Sequence, residues 1–141
     1  MSEKTHGQRA SEKLYKEGLD SVVLKFTIKG LDEDKKPQDY DFYLIVASFE
    51  GRVDLLDLTV SGLYSHNVRA LIESAFKMAT ALLRKGKTIE NIADHWAGYS
   101  FEPHGVCPQL VEHYGYESPR TASPLDCVAK ILKARFLGGT E

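Results

Sequence analysis

The sequence lacks a long hydrophobic run, and it lacks an excess of charge of either sign. No apolar segment approaches the roughly 18 residues that a membrane-spanning helix needs, and residues 1–9 are polar, without the apolar core of a signal peptide. The 18 Lys and Arg residues are balanced by 20 Asp and Glu residues, for a net charge of −2. Because duplex nucleic acid and acidic membranes bind concentrated basic faces, we expect neither as a partner. We expect a cytoplasmic protein.

Cysteine is also scarce, since Cys107 and Cys127 are the only two. A reducing cytoplasm keeps such thiols free, so we expect no structural disulfide. The composition is otherwise that of a globular protein, and 43% hydrophobic residues over 141 positions suffice for one buried core. We expect a charged N-terminal segment at residues 1–18, with a short helix at 11–17, followed by a single domain at 19–141.

Three segments in the first half of the chain have the pattern of β-strands. Apolar residues alternate with polar ones in residues 21–29 and 52–60, and residues 40–49 are rich in β-branched and aromatic side chains. A charged loop at 30–38 and a tight turn at 50–51 are short connections of the kind that join antiparallel strands. The pattern therefore predicts an antiparallel meander.

Helices are predicted in the second half. Residues 65–85 carry apolar side chains at spacings of three and four, residues 88–96 form a shorter helix, and residues 123–136 form a closing helix. Residues 97–122 are rich in Pro and Gly and are predicted to be irregular. The predicted fold class is α+β: an antiparallel meander of three or slightly more strands, covered on one face by the long helix and the C-terminal helix.

The beginning of the closing helix is a candidate anion site. Ser123 has the position of an N-cap, and Asp126 completes a capping pattern three residues later. A helix N-terminus presents unpaired N–H groups and a partial positive charge, which bind phosphates and carboxylates. The alternative is a capped helix that binds nothing, with Asp126 satisfying the helix dipole. The candidate ligand donors here are Ser118, Arg120, Thr121 and Ser123.

The connection at residues 61–67 is a second candidate, because it joins a strand to the long helix through a glycine-containing loop. Such a geometry can hold a phosphate, with Ser65 and Asn67 as donors, although neither of the usual glycine-rich phosphate motifs is present. The alternative is an ordinary strand–helix turn. Trp96 and Tyr99 would supply a stacking face for a base, or would instead belong to the core or to a subunit interface.

Four residues have side chains that suit zinc, but their spacing does not match a known zinc pattern. Two, five and thirteen residues lie between successive members of the set, which is His104, Cys107, His113 and Cys127. These spacings match neither of the close Cys or His spacings typical of zinc sites. Cys127 is equally suited to the core of the closing helix. We identify no catalytic residues and no cofactor. The candidate zinc ligands are His104, Cys107, His113 and Cys127.

The second half of the chain resembles the TSCPD domain, a small module of adenosylcobalamin-dependent ribonucleotide reductases that also occurs alone. The likeness lies in NVRALIESAFKMATALLRKG at 67–86, GKTIENIADHWAG at 86–98 and TASPLDCVAKIL at 121–132. The motif cysteine is Ser123 here, the motif aspartate is displaced to Asp126, and nothing in the chain resembles the reductase barrel. The resemblance therefore implies a place in nucleotide metabolism without the reductase reaction.

These observations lead to one expected function and two alternatives. We expect a non-catalytic domain of a homo-oligomer that binds a nucleotide or a nucleotide-derived phosphorylated ligand. It would regulate nucleotide metabolism, or it would sequester a nucleotide signal as a viral anti-defence protein would. The first alternative is a ligand-free accessory domain that docks on a ribonucleotide reductase, and the second is a zinc-binding protein.

Overall fold

The computed structural model describes most of the predicted domain. The predicted short helix at 11–17 and the predicted ligand donor Ser65 lie outside the described residues. The side chains of residues 61, 66 and 67 are outside the description as well. The described residues are 8–9, 20–32, 34–61 and 66–137.

The described part of the chain is an α+β fold, as the pattern predicted. The three long strands and the three predicted helices are present within a few residues of their expected ends. The elements in chain order are β1 (Asp20–Leu31), β2 (Pro37–Phe49), β3 (Arg52–Ser61), α1 (His66–Arg84), α2 (Ile89–Trp96), β4 (Gly105–Val106), α3 (Pro108–Glu112), β5 (Arg120–Thr121) and α4 (Pro124–Phe136).

The strands form one antiparallel sheet in the order β3-β2-β1-β4-β5. The long meander of β1, β2 and β3 makes up most of the sheet, and β3 lies at its edge. Phe26 of β1 pairs with Phe42 of β2, which pairs with Val60 of β3. The Phe26 and Phe42 rings stack with their centroids 5.0 Å apart, which is a favourable cross-strand aromatic pair.

The core lies between one face of this sheet and the helices. Residues 26, 28, 42 and 44 on that face are fully buried, because the alternation of the strands directs them to the same side. The long helix α1 packs on β3, and α2 packs on α4. The largest fully buried side chains are Phe26, Phe42, Phe76, Ile28, Leu44, Ile72, Leu83, Leu110, Ile131, Leu132, Val46 and Val128.

The ends of the helices follow the predicted capping chemistry. Thr88 caps α2 by accepting from the N–H of Asn91, whose side chain in turn accepts from the N–H of Thr88. Gly86 follows α1 with a φ of 102° and donates to Leu83 O at 3.1 Å. This left-handed conformation favours glycine, so the helix ends there.

Residues 97–122, predicted to be irregular, contain three short elements. Strand β4 pairs with β1 through Val106 and Lys29, strand β5 pairs with β4, and α3 lies between them. Gly105 permits this close approach, because a Cβ atom there would lie 2.2 Å from the carbonyl oxygen of Lys29. The sheet is therefore larger than the meander alone. Within the described residues, no helix combines the length and hydrophobicity needed to cross a bilayer.

Candidate functional site

The N-terminal end of α4, its front, holds a buried carboxylate of the protein itself. Asp126, 4% exposed, accepts hydrogen bonds from the backbone N–H groups of Gly98 at 2.7 Å and Ala122 at 3.0 Å. Its Oδ2 also lies 3.1 Å from the Thr121 hydroxyl and 3.1 Å from the Lys130 ammonium. A carboxylate with four such neighbours is anchored where an external anion would have to bind.

These contacts also keep Asp126 ionised. Burial raises the pKa of this carboxyl, but the hydrogen bonds from Ala122 and Gly98 and the nearby Lys130 ammonium lower it by more. The pKa of Asp126 therefore lies below its ordinary value. Because the carboxylate is charged at neutral pH, the positive end of the α4 dipole is already compensated.

The predicted donors Ser123 and Thr121 take part in this internal network. The Ser123 hydroxyl accepts from the N–H of Asp126 at 3.0 Å and donates to the carbonyl oxygen of Tyr99. The Thr121 hydroxyl lies 2.9 Å from Ser123 O as well as near the Asp126 carboxylate. Both side chains are buried, at 0% and 5% exposure. The geometry at the front of α4 is therefore that of the capped-helix alternative.

The other two predicted donors at this end of α4 lie on the surface. Arg120 and Ser118 are exposed, and the Ser118 hydroxyl accepts from the N–H of Arg120 at 3.2 Å. The Arg120 guanidinium makes no hydrogen bond or ion pair to the residues that the structure describes. Its own carbonyl oxygen accepts from Lys130 at 2.9 Å. Arg120 is thus accessible to a ligand, but its buried neighbours are already paired.

The predicted aromatic face is divided between core and surface. Trp96 is only 8% exposed and packs on Phe76 with ring centroids 4.8 Å apart. It belongs to the core, so it offers no free face on which a base could stack. Tyr99 is 55% exposed, and its ring meets Phe101 edge-on at 6.1 Å.

The four candidate zinc ligands do not form a metal site. The described residues contain no group of three or more His, Cys, Asp or Glu side chains that could hold a metal ion. Cys107 and Cys127 are fully buried free thiols, whereas His104 and His113 are exposed. Burial raises the pKa of the Cys127 thiol, and a protonated thiol is a poor zinc ligand and a poor nucleophile.

A different site lies between the edge strand β3 and the helix α1. One stripe of α1 follows the edge of β3, and its C-terminal part is bonded to the strand. Arg84 Nε lies 3.4 Å from Oδ2 of the fully buried Asp54. One turn earlier, the Thr80 hydroxyl accepts from the N–H of Leu56 at 3.1 Å and donates to Leu56 O at 3.0 Å. The helix therefore closes this half of the strand edge.

On the N-terminal side of Thr80, a cleft of about 400 Å³ is lined by residues of both the helix and the strand. This volume is within the range of about 300–1,000 Å³ that is typical of small-molecule sites. Ile72, which is 1% exposed, contributes an apolar surface from the core side. The residues that line the cleft are Asp57, Leu58, Thr59, Val60, Arg69, Ile72, Glu73 and Lys77.

The charged side chains of the cleft are not paired with one another. Arg69, Glu73 and Lys77 lie four residues apart on one stripe of α1, and Asp57 lies on β3. None of the four is within ion-pair distance of another charged group in the described ranges. The first turn of α1 carries no acidic residue, unlike that of α4, which contains Asp126. The N-terminal end of α1 therefore has no acidic residue of its own to compensate its dipole.

None of the residues that line the cleft was predicted as a site residue, although Val60 is next in sequence to the second predicted site, the connection at residues 61–67. Ser65 and the side chain of Asn67 lie outside the description. The sequence shows Arg69, Glu73, Lys77, Thr80 and Arg84 at spacings of four, four, three and four, which places them on one helical stripe. That spacing could have identified the stripe. Comparisons with protein-family models, with curated proteins and with solved structures found no match.

Proposed function

We propose that the chain is a non-catalytic binding module for a nucleotide or a nucleotide-like phosphorylated ligand, held in the cleft between β3 and α1. The observation that carries the proposal is the change along the α1 stripe. Arg84 and Thr80 are bonded to β3, whereas Arg69 and Lys77 line a cleft without an ion pair in the described chain. Two cations that have no ion pair with any described residue, beside an apolar surface, suit a phosphorylated ligand.

The mixed charge of the cleft favours a nucleotide over a simple anion. A bare phosphate would meet the carboxylates of Asp57 and Glu73 as well as the two cations. A nucleotide has sugar hydroxyls that donate to carboxylates, in the way that acidic residues bind ribose in dinucleotide sites. Arg69 and Lys77 are about 12 Å apart along the helix axis, so a phosphate can contact one of them while the rest of the ligand extends along the cleft.

The wider role follows from the expected ligand. Capture requires affinity and no chemistry, so the module would act in the cytoplasm as a regulator of nucleotide metabolism or as a protein that sequesters a nucleotide signal. The TSCPD resemblance supports the nucleotide assignment. Assembly into a homo-oligomer stays a prediction, which analytical ultracentrifugation would test.

The test compares two arginines in isothermal titration calorimetry with AMP, GMP, CMP, UMP and ribose 5-phosphate. Arg69→Gln removes a guanidinium from the cleft, and we expect a loss of affinity of roughly 10- to 150-fold, the range for a charge-assisted hydrogen bond. Arg120→Gln is the matched control, since it removes an exposed guanidinium at the front of α4 and should leave the affinity unchanged. The reverse pattern would move the site to α4. No binding by any of the probes would contradict the proposed function.

A further inference from the structure

Among the described residues, none bonds to the outer edge of β3 in the cleft, and the bonds of Leu56 show which residues face this edge. Both backbone groups of Leu56 bond to the Thr80 hydroxyl, so both point away from β2. Strand residues alternate in the side to which their N–H and C=O groups point. Leu58 and Val60, two and four residues later in the regular part of the β2–β3 pairing, therefore point to the same outer edge.

The hydrogen bonds of β1 lead independently to the same assignment. The N–H of Thr27 donates to Gln109 Oε1 at 3.1 Å, so the backbone N–H and C=O of Thr27 point away from β2. Because this direction alternates along a strand, the backbone groups of Phe26 point towards β2. Phe26 pairs with Phe42, whose backbone groups are then directed to β1. Val60, opposite Phe42 on the other side, has no ladder bond to make and faces outwards.

The outward C=O of Leu58 and the outward N–H of Val60 are an acceptor and a donor that lie next to each other on this edge. Neither residue makes a hydrogen bond at this edge to the part of the chain that the structure describes, and both line the cleft. The C=O of one edge residue and the N–H of the next edge residue point to the same side, as they do when a further strand is added. A planar group with its own adjoining donor and acceptor can bond to both.

We propose that Leu58 and Val60 recognise the base of the nucleotide, an inference that rests on the proposed function. The C=O of Leu58 accepts from an exocyclic amino group, and the N–H of Val60 donates to the ring nitrogen of the Watson–Crick edge, which is N1 in adenine and N3 in cytosine. Adenine and cytosine present this amino and ring-nitrogen edge. Asp57 and Glu73 accept from the ribose hydroxyls, and Arg69 contacts the phosphate. Thr80 sets the limit of the base site, because its hydroxyl occupies the edge at Leu56.

Val60→Pro is the sharpest test, because proline removes the N–H of Val60 and retains an apolar side chain. Proline is tolerated where a strand's N–H is not part of the ladder, so we expect this variant to fold. Thr59→Pro is the matched control, because it tests which backbone N–H groups of β3 point to β2 and which point outwards. Its N–H points to β2, so proline there should lower the melting temperature far more than Val60→Pro does.

The measurement is the affinity of both AMP and ribose 5-phosphate by calorimetry. We expect Val60→Pro to weaken AMP about tenfold, the effect of one unpaired hydrogen-bonding group, and to leave ribose 5-phosphate unchanged. The wild-type protein should likewise bind 1-deazaadenosine monophosphate about tenfold more weakly than AMP, since C–H replaces the ring nitrogen. This second measurement remains available if Val60→Pro does not fold. A comparison of AMP with CMP identifies which of the two bases is preferred.

The results separate this inference from the proposed function. If neither AMP nor CMP binds the wild-type protein more tightly than ribose 5-phosphate does, or if Val60→Pro binds the preferred nucleotide as the wild type does, the base is not recognised at β3 and the inference is wrong. The cleft then remains a site for the phosphorylated sugar. If neither compound nor any other nucleotide binds, the proposed function and the inference both fail.

Discussion

Asp126→Asn should destabilise the protein by about 3 kcal/mol, because the front of α4 is organised around this carboxylate. Asparagine keeps one oxygen, which can still accept from the N–H of Gly98. Its amide group then faces the N–H of Ala122, so a buried donor loses its acceptor at a cost of about 1–3 kcal/mol. The charge-assisted interaction with Lys130 is also lost, but the ammonium is partly exposed and retains Arg120 O, so this loss is smaller.

Urea denaturation followed by circular dichroism measures this change. For a domain of this size, about 3 kcal/mol corresponds to a fall in melting temperature of roughly 10 °C. Asp94→Asn is the matched control: this carboxylate is 59% exposed and pairs with Lys133 at 3.2 Å, so its loss should cost less than about 1 kcal/mol. If Asp126→Asn kept full stability and bound inorganic phosphate more tightly than the wild type does, the front of α4 would be an anion site after all.

Three further predictions concern acid stability, the strand edge and the thiols. Because the pKa of Asp126 is lowered in the folded protein, its carboxylate contributes stability that is fully present above pH 3.8, the ordinary pKa of an aspartate, and is lost as the pH falls through the lowered pKa. The urea midpoint of the wild type should therefore fall over this acidic range. The Asp126→Asn variant should lack this contribution. Thr80→Val, which leaves both backbone groups of Leu56 without their partner, should cost about 1–2 kcal/mol by the same denaturation assay, against less than about 0.5 kcal/mol for the exposed Thr59→Val. The buried thiols, Cys107 and Cys127, should react with a thiol reagent such as Ellman's reagent only after unfolding, and complete labelling of the native protein within seconds would contradict their burial.

The elements that could be predicted are those whose pattern is local. The alternation in β1 and β3 and the three-and-four spacing of α1 each follow from a face that must be buried, so a single segment carries the information. The caps at Thr88 and Ser123 are also local, since each cap bonds to a group three residues away. For these elements the sequence and the structure agree to within a few residues.

The short strands could not be predicted, because no local pattern encodes them. Strands β4 and β5 are two residues each, and they exist through pairing with a strand far away in the sequence. Gly105 was visible only as one of several glycines. Its role depends on the pairing of β4 with β1, because the carbonyl oxygen of Lys29 lies where a Cβ atom at position 105 would have to be.

The candidate sites show the same limit. The capping pattern at Ser123 and Asp126 was evident, but it did not show whether the helix front was open to a ligand. A donor 28 residues away, the N–H of Gly98, helps to hold the carboxylate in place. The cleft likewise depends on which side of β3 faces α1, and the contact of Thr80 with Leu56 decides this.

The most direct measurement is a titration of ¹⁵N-labelled protein with AMP, followed by the backbone amide resonances. The largest shifts should be at Leu58 and Val60 on β3 and at Arg69 on α1, with little change at Gly98 and Ala122. Binding that instead perturbs the last two amides and leaves β3 unchanged would place the ligand at α4 and contradict the account.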